Sequence, residues 1–72
     1  MRHYYGYCVP DTGEVYIRST LKGRPLLGTV IHELAHVVLP EMSERGVEDI
    51  TRMMTYHLWN LGYRLDEAAA KG

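Results

Sequence analysis

Apolar residues recur along this chain with two different periods. From residue 3 to residue 9 the stretch HYYGYCV is rich in strand-favouring side chains. Residues 14–20 then alternate, with Val15 and Ile17 on one face and Tyr16 and Arg18 on the other. Between them Pro10, Asp11 and Gly13 follow in the order that suits a tight reversal. The two stretches predict a β-hairpin. After a short loop the period changes. Pro25 suits the first turn of a helix, where its missing N–H is no loss, and Pro40 cannot continue one. A helix is therefore expected over residues 25–39. Set on a wheel at about 100° per residue, its side chains are apolar nearly all round, with Leu27, Val30, Leu34, Val37 and Val38 on one side. The exception is a single strip made of Thr29, His32, Glu33 and His36. Such a helix is expected to be buried on most sides.

A second helix begins near Ser43, a good N-cap, with Glu44 and Glu48 close to the positive end of the helix dipole. Val47, Ile50, Met54, Leu58 and Leu61 recur at steps of three and four and read as its buried stripe. Gly62 is placed to end it, and residues 65–72 read as a frayed tail. The order β-β-α-α predicts one α+β domain over residues 1–72, a hairpin packed on the first helix with the second helix beside it.

Composition narrows the function. Eight Lys and Arg stand against nine Asp and Glu, so bulk charge gives no nucleic-acid signal. One cysteine excludes an internal disulfide and fits a reducing, cytoplasmic setting. No apolar run has the length of a membrane span, and the opening MRHYYGY is too polar for a signal peptide. A domain of 72 residues has a marginal core, and a metal is the staple this composition offers.

The polar strip carries the candidate chemistry. His32, Glu33 and His36 spell His-Glu-x-x-His. Two imidazoles at i and i+4 lie about 40° apart on a helix and can both reach one metal ion at about 2.0–2.1 Å. Glu33 cannot reach the same ion beside both of them. It is placed to take a proton from an attacking water and pass it to a leaving amine. Three specified letters in five arise by chance in many sequences. Here, however, two imidazoles and a carboxylate share one strip of an otherwise apolar helix, which is costly unless something satisfies them.

His-Glu-Leu-Ala-His on such a helix, after a hairpin and before a second helix, resembles the zincin metallopeptidases. Residues 23–64 are similar to the very short zincin-like proteins of bacteriophages, related to the SprT/Spartan type and to minimal gluzincins. That resemblance implies zinc on His32 and His36, Glu33 as general base and a third ligand from the following helix, but no known substrate; a peptidase would act on a peptide or protein. For a phage protein the setting would be the host-cell cytoplasm. Two departures stand out. No second lobe is available to build a substrate cleft. The SprT type places a third His soon after the motif, whereas here the next one is His57, 21 residues beyond His36. Glu44 and Glu48 match the gluzincin spacing instead. Glu44 lies about 60° from Val47 and Glu48 about 100°, so Glu44 is expected as third ligand. Glu48, which could instead orient a ligand histidine, and His57 are the alternatives.

The remaining candidates have plainer expectations: Cys8 as a small buried strand residue, His3 exposed, Trp59 and Tyr63 as core or lid aromatics. Tyr63 or Arg64 could serve an oxyanion if the C-terminal segment covers the metal. The Tyr16/Arg18 side of the hairpin could align an extended peptide or a second copy. The leading function is a zinc peptidase. Its rivals are a non-catalytic zinc-stabilised module that binds a protein partner, and a metal-free helical interaction protein.

Overall fold

The computed structural model describes residues 5–65; the expectations for His3 and for the tail beyond Leu65 lie outside them. The fold is a small α+β unit, with strands β1 (Gly6–Val9) and β2 (Glu14–Ile17) followed by helices α1 (Gly23–Val38) and α2 (Glu44–Asn60). The strands pair antiparallel, with Gly6 opposite Ile17 and Cys8 opposite Val15. Both are shorter than the strand-favouring stretches. Past the ladder, Arg18 N–H reaches Tyr5 C=O at 2.7 Å, and Leu21 N–H then turns back to Arg18 C=O. Residues 19 and 20 lie in that turn.

Strand alternation sorts the hairpin as expected. Tyr7 and Tyr16 face outward and stack at 4.9 Å. Gly6 is buried, and Cys8, Val15 and Ile17 are partly covered. Gly6 matters for how closely the hairpin approaches α1. A Cβ there would lie 2.6 Å from Tyr16 C=O and 3.2 Å from Thr29 Cγ2.

α1 begins two residues before Pro25 and ends at Val38. A proline in the third position is tolerated because the first four amides of a helix have no intrahelical acceptor. Residues 39–43 reverse the chain. Ser43 Oγ accepts from Gly46 N–H at 3.1 Å, capping α2 as expected. At the other end Gly62 N–H bonds Trp59 C=O and Tyr63 N–H bonds Leu58 C=O. With Gly62 at φ 99 this is a Schellman ending. Gly28 of α1 faces Thr55 of α2, whose Oγ1 lies 3.4 Å from where a Cβ would stand, and His36 lies near Glu44. The two helices therefore run antiparallel.

Two burial expectations need correction. On α2, Met54 and Leu61 are exposed. The contact face runs through Val47, Thr51, Thr55 and Leu58, a rotation of roughly 50° from the apolar stripe. Where the helices meet, the small Gly28 lies against Thr55. The rotation has a cost: among the described residues the buried hydroxyls of Thr51 and Thr55 find no hydrogen-bond partner. On α1, Leu34 is 44% exposed and Val38 70%, so the helix is not buried on most sides. A hairpin and one helix can cover only part of it. Among the described residues the buried apolar side chains are Ile31, Ala35 and Val47. No helix among them is long and apolar enough to cross a membrane.

Candidate metal centre

His32 and His36 project from successive turns of α1 into the gap between that helix and the start of α2. Their Nε2 atoms lie 3.2 Å apart. Glu44, the first residue of α2, brings Oε1 to 3.7 Å from His36 Nε2 and 4.0 Å from His32 Nε2. These three residues form a group whose donor atoms could hold one metal ion. A point equidistant from the three atoms lies about 2.1 Å from each, the length of a zinc bond to nitrogen or oxygen. The chemistry of the donor set agrees. Two imidazole nitrogens facing each other repel unless a proton or a cation lies between them, and a carboxylate beside them adds negative charge for a cation. The histidine side chains are about a quarter exposed and that of Glu44 is 64% exposed. The group therefore opens to solvent on the Glu44 side.

Glu33 is placed differently. It is 3% exposed and points toward the hairpin. There its carboxylate lies beside the Cys8 thiol. β1 and α1 run side by side in matching steps. Gly6 lies at Thr29 and Cys8 at Glu33, so two strand residues, about 6.8 Å, match one helical turn, about 6 Å. Burial first, then the Glu33 charge and the hydrogen bond to it, push the Cys8 thiol above its ordinary pKa. Cys8 is half-buried, less covered than expected, because a two-stranded ribbon shields only one of its faces. Glu33 and His32 both line a cavity of about 550 Å³ that continues to Tyr5, Gly6, Thr29 and Thr51. A ligand there would lie against both the carboxylate and a member of the donor group.

The other candidates stand elsewhere. Glu48 is exposed and outside the donor group. His57 is exposed and meets the edge of Tyr56. The Arg64 guanidinium stacks 3.4 Å from the Trp59 ring centre and donates to the carbonyls of Trp59 and Tyr63. Neither Tyr63, which is exposed, nor Arg64 lines the cavity beside Glu33. The pairing of Cys8 with Glu33 is absent from the sequence-based expectations. Its only sequence signal is that Cys8 shares a strand face with Gly6, the one strand position with no side chain. Comparison with known proteins found no matching family model, no matching curated protein and no matching solved structure.

Proposed function

We propose that the chain is a zinc-dependent peptidase of zincin type, acting on a peptide or protein in a reducing, cytoplasmic setting. The observation that carries this is the convergence of His32, His36 and Glu44 donor atoms beside a buried Glu33. His32 and His36 would hold the metal through Nε2 and Glu44 through Oε1. A zinc ion bound there would supply Lewis-acid polarisation of a carbonyl and would lower the pKa of water. Glu33 acts as the general base, accepting a proton at its carboxylate and returning it to the departing amine. Its surroundings support that role. A carboxylate this buried is destabilising unless strongly paired, and a thiol is a weak donor. The placement therefore serves something other than stability. The cavity beside Glu33 and His32 is where the scissile segment would lie.

A non-catalytic zinc-stabilised module that binds a protein partner is the second reading. The small buried core favours it, since a metal joining α1 to the start of α2 stabilises the fold whether or not catalysis follows. Glu33→Gln separates the two, because it keeps shape and hydrogen bonding but removes the base. The expected result is unchanged zinc stoichiometry and melting temperature, with cleavage of an unstructured protein substrate down by about 10² to 10⁴. A parent that holds one zinc and cleaves nothing across a broad peptide library leaves the module standing. Equal cleavage by parent and variant points to a contaminating protease.

A further inference from the structure

The side of α1 turned away from the histidines carries Leu26, Leu27, Val30, Leu34, Val37 and Val38, with no charged residue among them. Its two ends have opposite shapes. At the N-terminal end it forms the floor of an apolar groove of about 580 Å³, walled by Trp59, Tyr63 and Leu65. Arg64, also at that rim, stacks on Trp59 and is bonded to main-chain carbonyls. At the C-terminal end Leu34 and Val38 stand out, 44% and 70% exposed. Val30, Leu34 and Val38 are successive i, i+4 positions, so ridge and groove lie on one line about 6 to 12 Å apart.

We infer that this face binds a second copy of the chain, in a two-fold arrangement with the two α1 helices antiparallel. A two-fold axis across the middle of α1 sets the Leu34/Val38 ridge of each protomer into the groove of the other. Each contact is then made twice. The occupant is a second copy because ridge and groove belong to one face of one helix, and because the one charge at its rim, Arg64, is held by Trp59 and main-chain carbonyls, leaving little with which to select an unlike partner. The area also fits. A free Val, Leu or Met residue presents about 160 to 190 Å², so Leu34 and Val38 with the exposed Met54 and Leu61 of α2 leave on the order of 400 Å² of apolar surface. Adding the groove and its aromatic walls approaches the roughly 800 Å² per partner of a stable interface. His32, His36 and Glu44 lie on the other side of α1 and stay open, so the inference is independent of the metal reading.

The test is the mass of the full-length chain in solution from about 1 to 100 µM, a range that brackets micromolar self-association. The parent is expected at twice 8.3 kDa in the upper part of that range. Leu34→Lys and Val38→Lys, both at positions open to solvent in the protomer, are expected to keep the far-ultraviolet circular dichroism of the parent. Each should weaken association by about tenfold or more, and Leu34→Met should restore it. Trp59 emission should shift to the blue with concentration in the parent and in Leu34→Met, but not in the lysine variants. A parent that stays at 8.3 kDa throughout overturns the inference. So does a dimer that persists in both lysine variants.

Discussion

The two sides of α1 invert the usual arrangement of a helix in a small globular protein. One side carries Thr29, His32, Glu33 and His36, none of them fully exposed: the hairpin lies over Glu33, and α2 begins beside the histidines, which stay about a quarter exposed. The other carries Leu27, Val30, Leu34 and Val38, and much of it is open. A helix selected for stability alone would turn the first side outward and the second inward. The chain instead uses part of its scarce cover, one hairpin and one helix, on a polar group, Glu33. Under the proposed function a metal ion and a substrate would give such groups a use, whereas an apolar face needs only another apolar face.

The comparison breaks most sharply at the donor group. If zinc joins His32, His36 and Glu44, an excess of about a hundredfold over Kd adds about 2.7 kcal/mol. That is roughly 10–20 °C of melting temperature in a domain of this size. Chelation should reverse the gain, and His32→Ala or His36→Ala should abolish it, while His57→Ala leaves it intact. Calorimetric melts with and without zinc check this. The same melts test the choice of third ligand, because loss of the zinc effect in His57→Ala but not in Glu44→Ala would reassign it.

Next comes cover itself. Ile31→Ala, on the α2 side, should cost about 2–4 kcal/mol. Leu34→Ala, three residues on but on the open side, should cost less than about 1 kcal/mol. Urea titration at submicromolar protein, where self-association does not contribute, compares the two. Equal losses would mean that the outer face is covered within the protomer. The inverted side gives the opposite sign. Glu33→Met replaces a weakly partnered buried carboxylate with an apolar side chain of similar length. It should raise stability by about 1–3 kcal/mol while removing activity.

The smallest expected effect sits where hairpin and helix meet. Because the Cys8 thiol is held above its ordinary pKa, it keeps its proton to higher pH in the folded chain than in the unfolded one. Folding stability therefore falls as pH rises through the thiol range. Alkylation of Cys8 at pH 8 should be slower than that of a free thiol, because less thiolate is present. Glu33→Gln removes the repelling charge and should recover part of the rate. An alkylation rate unchanged between parent and Glu33→Gln would show that burial alone is responsible.

Much of this architecture is legible in the sequence, because it depends on neighbours in the chain. Alternation places Val15 and Ile17 opposite Tyr16, the i, i+4 spacing puts His32 and His36 on one line, and Ser43 and Gly62 mark the ends of α2. These are consequences of backbone geometry, which local residue types decide. Glu44 could be ranked above Glu48 for the same reason, since both lie on one helix whose wheel is known. What the tertiary structure decided is how the elements face one another. The apolar pattern of α2 points toward Met54 and Leu61, yet the helix turns Thr51 and Thr55 inward, with Thr55 against Gly28 of α1. Cys8 meets Glu33 only because Gly6 lets the hairpin close on Thr29. Leu34 and Val38 are exposed because none of the described elements lies over them. A sequence pattern states which side chains share a face; which faces find cover depends on side-chain volumes across elements far apart in the chain, and on how many elements there are.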